Sequence, residues 1–331
     1  MCIMLLLLLL LINLSCVLCS ITDPSPKLVI DNDAGGDDAM AIFLALLYEK
    51  HYNGPKLIGL TTVNGNTNED NVCLNNQRVL KIIKRQDVPI YRGSKSSLVR
   101  TPDAGHYYGK DGLGDSGKYL DGLKPAHTKN AVEALIDLSK EHKDQLTVVT
   151  LGALTNVALA IKLDPDFLSR IAHLYVGAGH IHNDSWPKAE FNAHMDVEAY
   201  HVVAAHATPD RVTFLPFSQV QQHCNFTVEW RKDVLGAIPT DIMRAQNLFE
   251  QVSLASQESW QALDPAAVAA AINPSLVDEF KFSRHDIVTC GEKRGITTNE
   301  FLEKENANAR IVYSYKTEKY KQFLLDIFKL E

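Results

Sequence analysis

Residues 28–39 constrain the fold of this 331-residue chain more than any other stretch. They begin with a short β-branched run and continue with four aspartates within eight residues, separated by two glycines: Asp31, Asp33, Asp37 and Asp38. The apolar run 39–47 follows at once and predicts a helix. Four carboxylates this close would repel each other on an ordinary surface. The cluster therefore indicates a site for a hard cation such as Ca²⁺ or Mg²⁺, which prefers carboxylate oxygens.

The position of this cluster supports a ligand site. Open α/β sheets bind ligands outside the carboxyl ends of their strands, and the aspartates follow directly after a predicted strand. The alternative is an acidic first turn that complements the dipole of the following helix. That alternative explains Asp37 and Asp38, but it leaves Asp31, Asp33 and the two glycines unexplained.

Buried strands and amphipathic helices alternate along most of the chain. Predicted strands cover residues 57–63, 88–91, 146–151, 174–179 and 211–217, and the clearest predicted helix covers 130–141. This alternation predicts an α/β fold, with a single large domain over residues 27–331 and a mostly parallel central β-sheet flanked by helices. A chain of this length can bury a large core. Residues 225–261 are predicted to be largely helical, and the tail 320–328 a packing helix.

Residues 93–128 form a long stretch without periodicity that includes GHYYGKDGLG at 105–114. A loop of this length inside a compact domain is usually either functional or disordered. Aromatic residues are rare in disordered tracts, so His106, Tyr107 and Tyr108 favour a functional loop.

The N-terminus predicts export. Residues 4–12 are almost entirely leucine, and small or polar residues follow, so we expect a secretory signal peptide over residues 1–20 and an extracellular protein; an uncleaved signal anchor is the alternative. Cys73, Cys224 and Cys290 would remain after cleavage and allow at most one internal disulfide. Asn183 and Asn225 lie in glycosylation sequons. The net charge of −7 gives no support for nucleic-acid binding.

Four blocks of sequence, in this order, carry a family resemblance: DNDAGGDDA at 31–39, GALTN at 152–156, AEFN followed by MDVEA within 189–199, and LDP at 263–265. They resemble the inosine–uridine-preferring nucleoside hydrolases, Ca²⁺-dependent enzymes that cleave the N-glycosidic bond of ribonucleosides. The resemblance covers most of residues 27–274. It implies one bound Ca²⁺, a small-molecule ribonucleoside as the ligand, and no nucleic-acid or membrane partner after signal removal. We expect a homodimer or a homotetramer.

The resemblance implies which residues hold the ion. They are Asp33, Asp38, the backbone carbonyl of Leu151, and Asp264. It also implies that Asp33 acts as the general base, with Asp37 as the alternative. Asp264 precedes Pro265, so it could instead cap the alanine-rich helix that follows; a cap position is compatible with a metal bond.

The resemblance also implies which residues hold the ribose. They are Asp37, Asn66, Glu190, Asn192 and an upstream asparagine, for which Asn183 has the right residue type while Asp184 keeps the commoner spacing. Asn66 could instead be an ordinary turn asparagine. Glu190 and Asn192 could instead belong to a solvated loop before a helix cap.

One departure from the family pattern bears on the leaving group. Many members have histidine before the aspartate of the last block, whereas this chain has Leu263, which cannot donate a proton. Members that prefer purines also lack the histidine and stack the base between aromatic side chains. The candidates here are His106, Tyr107, Tyr108, Trp186 and Trp260. The resemblance therefore implies a preference for purine nucleosides.

Two other functions remain open from the sequence. A Mg²⁺-dependent phosphatase could use an aspartate pair at a strand end, but it needs a basic phosphate contact, and no lysine or arginine follows the motif. A secreted protein that binds nucleosides without cleaving them is compatible with the loss of histidine at Leu263. The retained aspartates speak against such a binder.

Overall fold

A computed structural model describes residues 25–331, so the predicted signal peptide lies outside the described residues. Eleven strands are present in this part of the chain: β1 Lys27–Asn32, β2 Lys56–Thr62, β3 Ile90–Tyr91, β4 Leu146–Thr150, β5 His173–Gly177, β6 Val212–Leu215, β7 Phe226–Thr227, β8 Ser259–Trp260, β9 Val277–Ile287, β10 Thr297–Phe301 and β11 Ala309–Tyr315. Nine of them form one sheet in the order β10-β9-β11-β6-β5-β4-β1-β2-β3, and β7 and β8 form a separate hairpin.

The helices within the same residues cover both faces of the large sheet. They are α1 Gly36–Tyr52, α2 Glu69–Ile82, α3 Ala131–Glu141, α4 Thr155–Leu163, α5 Phe167–Arg170, α6 Phe191–Met195, α7 Val197–His206, α8 Phe217–His223, α9 Asp241–Phe249, α10 Gln251–Ser256, α11 Leu263–Ile272 and α12 Thr317–Phe328. A π-helix covers Trp230–Leu235, and 3₁₀ turns cover Pro274–Leu276 and Lys304–Asn306.

The first strand shows why the sheet is mostly parallel and buried. All six residues of β1 are buried, and β1 pairs in parallel with both β2 and β4. Leu28 and Ile30 pack into one hydrophobic core, and Val29 between them packs into the other. Successive side chains of a strand point to opposite faces, so β1 contributes to the core on each side of the sheet. The predicted α/β fold with a mostly parallel central sheet is confirmed.

The topology also locates the site. From β1 the chain builds outward to β2 and β3 on one side, and then returns to build β4, β5 and β6 on the other. The strand order therefore reverses between β1 and β4, and α/β sheets bind ligands in the crevice at such a switch point, at the carboxyl ends of the strands. The aspartates that follow β1 and the turn that follows β4 both lie at this edge.

Several local predictions can be compared with the structure. Residues 93–128 contain neither helix nor strand, apart from one bridge at His127, as their lack of periodicity predicted. Residues 225–261 are less helical than predicted, because they also form the β7–β8 hairpin. No strand was predicted after residue 217, whereas β9, β10 and β11 extend the sheet mainly by antiparallel pairing. Cys73, Cys224 and Cys290 are free cysteines.

Among residues 25–331, no helix is both long enough and apolar enough to cross a membrane.

Candidate active site

The turn between β1 and α1 buries its carboxylates. Asp33 and Asp38 are fully buried, and Asp37 is 9% exposed. Asp38 accepts hydrogen bonds from the backbone N–H groups of Gly35, at 2.6 Å, and of Asp33, at 3.2 Å. It thereby caps the N-terminus of α1, which is the alternative role considered for this residue. That role does not extend to Asp33, because both of its carboxylate oxygens accept hydrogen bonds from Asn66, in the loop after β2.

Asn66 connects two of these carboxylates. Its side-chain Nδ2 donates to Asp33 Oδ1 at 2.9 Å and to Asp38 Oδ2 at 3.3 Å, and its backbone N–H donates to Asp33 Oδ2 at 2.8 Å. The preceding Gly65 permits this approach, because a Cβ at that position would lie 1.8 Å from Asp33 Oδ2. Asn66 is therefore more than a turn residue: it holds the orientation of the aspartates.

Asp31 has a different place from its three neighbours. Its Oδ1 accepts hydrogen bonds from Thr61 Oγ1, at 2.5 Å, and from Asn156 Nδ2, at 2.8 Å. Burial raises the pKa of Asp31 to about 6. The residue ties β1 to β2 and to the start of α4, and it does not line the pocket.

Asp264 joins the cluster from the far end of the chain. It lies within the first turn of α11, one residue after the helix begins, and the N-cap position belongs to Ala262. One carboxylate oxygen from each of Asp37, Asp38 and Asp264 lies within 4.8 Å of the other two. The cap proposed as an alternative for Asp264 is therefore not its role.

Burial raises the free energy needed to ionise these carboxylates. It raises the pKa of Asp33 to about 7 and that of Asp37 to about 6. Burial and the neighbouring carboxylates together raise the pKa values of Asp38 and Asp264 well above the ordinary range. Asp37 Oδ1 is buried without a hydrogen-bond partner. Close, buried oxygen donors with an unpaired oxygen among them fit a hard divalent cation, which would offset their repulsion.

The turns after β4 and β5 bring further oxygens to the same edge. The carbonyl of Leu151 accepts from Asn192 Nδ2 at 2.8 Å, and the carbonyl of Gly177 accepts from the same nitrogen at 3.0 Å. Glu190 is the N-cap of α6 and accepts from the backbone N–H groups of Asn192 and Ala193, each at 3.0 Å. Glu190 therefore both caps α6 and belongs to the candidate site.

These groups surround a cavity of about 440 Å³. We call the polar groups at the sheet edge the carboxylate floor. They are Asp33, Asp37, Asp38, Asn66, Glu190, Asn192, Asp264 and the Leu151 carbonyl. We call the remaining lining residues the outer wall. They are Gly105, His106, Tyr107, Tyr108, Phe191, Phe217, Gln221, Gln257, Ser259, Gln261 and Leu263. Asp33 and Asp38 are fully buried and do not line the cavity; Asn66, which does line it, donates hydrogen bonds to both.

The family of the chain follows from comparison with known sequences. The sequence profile described as "Inosine-uridine preferring nucleoside hydrolase" matches residues 28–322. The chain belongs to this family. An inosine–uridine preferring nucleoside hydrolase of Leishmania major is 29% identical over 92% of this chain and 97% of its own length. A probable uridine nucleosidase of Arabidopsis thaliana is 36% identical over 54% of this chain and 55% of its own.

Solved structures agree with this assignment. An inosine–guanosine nucleoside hydrolase is 25% identical and superimposes with a TM-score of 0.80, covering 92% of this chain and 98% of that chain. The resemblance inferred from the four sequence blocks is therefore confirmed. As a nucleoside hydrolase, the protein is an N-glycosyl hydrolase that acts on ribonucleosides, and the family is metal-dependent.

The structure corrects the prediction for Trp260. This residue is 5% exposed and packs against Phe226 and Trp230, and its indole N–H donates to Glu250 Oε1 at 2.6 Å. Side chains alternate along a strand, and β8 directs Ser259 toward the cavity and Trp260 into the core. Trp260 is therefore not a base-stacking residue of this nucleoside hydrolase.

Asn183 and Trp186 also lie outside the cavity lining. Asn183 is exposed and accepts the backbone N–H of Ser185 at 2.8 Å, so it stabilises a turn. Its neighbour Asp184 is exposed as well. The indole N–H of Trp186 donates to Gln221 Oε1, which puts the tryptophan behind the wall. His106 and Tyr108 do line the cavity, as predicted, and Tyr108 lies in edge-to-face contact with Tyr107.

Sequence reasoning missed part of the wall. Phe217 and Gln221 come from α8, which begins two residues after β6 ends, and Gln257, Ser259 and Gln261 come from the segment before α11. The same strand-end rule that located the aspartates would have indicated Phe217. The glutamines carry no comparable signal, because glutamine is common on exposed helices and loops.

Proposed function

We propose that this protein is a Ca²⁺-dependent ribonucleoside hydrolase that prefers purine nucleosides such as inosine, guanosine and adenosine. The proposal rests on one observation: the cavity combines a buried carboxylate floor with a wall in which Leu263 takes the place of a proton donor. The products would be the free base and ribose.

The carboxylate floor would hold the ion. Asp33, Asp38, Asp264 and the Leu151 carbonyl are the proposed ligands, and Asp37 has an unpaired oxygen close to Asp38 and Asp264. All of these donors are oxygens, and one is a backbone carbonyl, a combination that suits Ca²⁺. When bound, Ca²⁺ would supply charge that lowers the pKa of a water molecule and stabilises negative charge.

The chain's own groups would carry the remaining chemistry. Asp33, oriented by Asn66, would take a proton from the attacking water, and Asp37 is the alternative base. The water oxygen forms a bond to the anomeric carbon as the bond to the base nitrogen breaks, and the base leaves with the electron pair and gains a proton. The ribosyl centre develops positive charge, which the surrounding carboxylates stabilise.

Glu190, Asn192 and Asp37 would bind the ribose hydroxyls. The two oxygens of Glu190 already accept backbone N–H groups, but a carboxylate offers about four lone-pair sites, so hydroxyl donors can still be accepted. Asn192 is fixed by its two carbonyl acceptors. A sugar held in this way places its anomeric carbon over the floor, which lowers the entropic part of the barrier.

The preference for purines rests on the wall. Leu263 is 5% exposed and lines the same cavity as the aromatic rings of Tyr107 and Phe217. A purine can stack on these rings and accept a proton at its imidazole nitrogen from water, whereas a pyrimidine leaving group depends more on a donor from the protein. General acid assistance is typically worth about 10²–10⁴-fold in rate.

A panel of nucleosides tests this function. Release of ribose from inosine, guanosine, adenosine, cytidine and uridine should show kcat/KM at least about tenfold higher for the better purines than for uridine. Equal rates for inosine and uridine would contradict the purine preference. Binding without any ribose release would instead support the secreted nucleoside-binding protein, the second candidate, which the loss of histidine at Leu263 permits.

We further propose that the protein is secreted, with the mature chain beginning between Cys19 and Lys27. The leucine-rich residues 4–12 support this proposal, and Asn225 is an exposed sequon asparagine that does not line the cavity. N-terminal sequencing and glycopeptide mapping of native material would test it. An intact N-terminus on the native protein would contradict signal cleavage.

A further inference from the structure

The turn that carries the floor aspartates contains one residue with a strained backbone. Ala34 has a φ of 44°, in the left-handed region that a residue with a Cβ disfavours. It lies between Asp33, which follows β1, and Asp37, in the first turn of α1. Its dihedral angles therefore set the direction of one carboxylate relative to the other. A strained conformation of this kind persists only when surrounding contacts hold it.

Asn75 reaches this turn from α2. Its side chain is buried, and its Nδ2 donates to the carbonyl oxygen of Ala34 at 3.2 Å and to that of Asp111 at 2.6 Å. We propose that Asn75 is a positioning residue for nucleoside hydrolysis: it holds Ala34 in the left-handed conformation and thereby orients the carboxylates on either side. This inference rests on the proposed function, in which those carboxylates act on the water and the ribose.

Arg78 fixes which end of the Asn75 amide faces the turn. A guanidinium can only donate, and Arg78 Nη1 lies 3.0 Å from one end of the amide, so that end is the carbonyl oxygen Oδ1. The amide nitrogen therefore faces the two backbone carbonyls, which can only accept. Arg78 is 1% exposed, and its Nη1 also donates to Asp111 Oδ2 at 3.2 Å. These contacts leave the amide of Asn75 a single orientation, with its donor toward Ala34.

The long loop between β3 and α3 also contacts the Ala34 carbonyl. Gly112 in this loop has a φ of 81°, and a Cβ there would lie 3.0 Å from the Ala34 oxygen and 3.2 Å from Asn75 Nδ2. Arg78 ties the same loop to α2, because its Nε donates to the Lys118 carbonyl at 3.0 Å. The alternative role for Asn75 is therefore to hold the loop and nothing else. The two roles can be separated, because only the first depends on the strain at Ala34.

A glycine at position 34 separates the two roles. Glycine populates the left-handed region about as readily as the right-handed one, so Ala34→Gly removes the need for a residue that holds the turn. Asn75→Ala should lower kcat for inosine by about tenfold, because a buried hydrogen bond to the turn is lost. In the Ala34→Gly background the same change should lower kcat by less than about threefold. KM should change by less than about threefold in both backgrounds, because Glu190 and Asn192, which would bind the ribose, lie on other elements.

The chain offers matched controls for this test. Asn76 is the next residue of α2 and is fully buried, but neither amide atom has a hydrogen-bond partner among residues 25–331, so Asn76→Ala should retain kcat within about threefold. Gly112→Ala directs a Cβ at the Ala34 carbonyl without removing Asn75, and should lower kcat even if Asn75→Ala folds poorly. Gly117→Ala imposes left-handed strain in the same loop, where a Cβ meets no atom within 4 Å, and should leave kcat unchanged.

The outcomes separate this inference from the proposed function. The variants are compared at a temperature where circular dichroism shows each of them folded. If inosine is cleaved but Asn75→Ala lowers kcat equally in the two backgrounds, or leaves it unchanged, Asn75 does not act through Ala34 and the inference is overturned. An equal fall in Asn76→Ala would assign the effect to lost packing in α2, and would also overturn it. If none of the nucleosides is cleaved, the proposed function itself fails.

Discussion

The carboxylate floor and the outer wall of the cavity are built in opposite ways. The floor consists of charged side chains that are almost fully buried and are held by backbone N–H groups and by Asn66 at the ends of β1, β2 and β4. The wall consists of neutral aromatic and amide side chains on α8 and on the long irregular segments, and Tyr107 in it is 46% exposed.

This difference separates the chemistry of the reaction from its selectivity. Backbone and neighbouring side chains fix the floor closely: a Cβ at Gly65 would lie 1.8 Å from Asp33 Oδ2, and one at Gly152 would lie 3.0 Å from Asp33 Cβ. A site that stabilises charge needs such preorganisation. In the proposed function the wall would contact the leaving base and the floor would contact the ribose and the ion, so a substitution in the wall should leave the floor unchanged. We therefore expect substitutions in the floor to remove turnover, and substitutions in the wall to change the choice of base.

The largest effect should come from Asp33→Asn. The amide cannot accept a proton as a base does, so kcat for inosine should fall by about 10²–10⁴-fold. Both oxygens of Asp33 accept hydrogen bonds from Asn66, so the amide loses one of these bonds, and the free energy of unfolding should fall by about 1–3 kcal/mol in the presence of Ca²⁺. Asp103→Asn, on an exposed loop outside the cavity lining, is the control and should retain normal kcat. Near-normal turnover of Asp33→Asn would exclude Asp33 as the base.

Removal of the ion should affect both activity and stability. Metal analysis of desalted protein should find about one Ca²⁺ per chain, and a chelator should abolish turnover and lower Tm by on the order of 5 °C. Zinc in place of calcium, or full activity without any metal, would contradict the proposed floor.

The chelated protein should also show an unusual dependence on pH. Burial raises the pKa of Asp33 to about 7 and of Asp37 to about 6, against 3.8 in an unfolded chain. Between about pH 4 and 7 the folded state then binds more protons than the unfolded state, so its stability falls as the pH rises. The loss of Tm on chelation should therefore be larger at pH 8 than at pH 5. A larger loss at pH 5 would argue against ligation by these carboxylates.

A change in the wall should alter selectivity while leaving the floor intact. Leu263→His puts an imidazole where the family commonly has one, so kcat/KM for uridine should rise by roughly tenfold, with a smaller change for inosine. Leu263→Met, which restores no donor, is the matched control. If uridine gains nothing from the histidine, the missing proton donor does not limit pyrimidine cleavage.

The smallest effect should come from Trp260, which lies behind the wall. Trp260→Phe removes the N–H that satisfies buried Glu250, and should cost about 1–3 kcal/mol of stability. The ratio of inosine to uridine cleavage should not change. Trp230→Phe makes the same change in an adjacent ring and is the comparison for lost ring area alone. A change in base preference in Trp260→Phe would show that Trp260 does contribute to the base site.

The sequence by itself predicted the α/β fold and most of the floor. The strand, the glycines, the aspartates and the helix are contiguous in residues 28–39, so local spacing alone places three carboxylates at one strand end. Glu190 and Asn192 were identified through the resemblance, because they belong to one short block that matches the family pattern. Asp264 was found only through the resemblance, since its spacing from the other aspartates carries no physical signal.

Only the tertiary structure decided which side chains form the wall. Ser259 and Trp260 are adjacent in sequence, and the pairing of β8 with β7 turns one toward the cavity and the other into the core. Trp186 and Gln221 are 35 residues apart, and packing alone brings the indole to the amide. Periodicity in the sequence reports which face of an element is buried, but it does not report which distant segment covers that face.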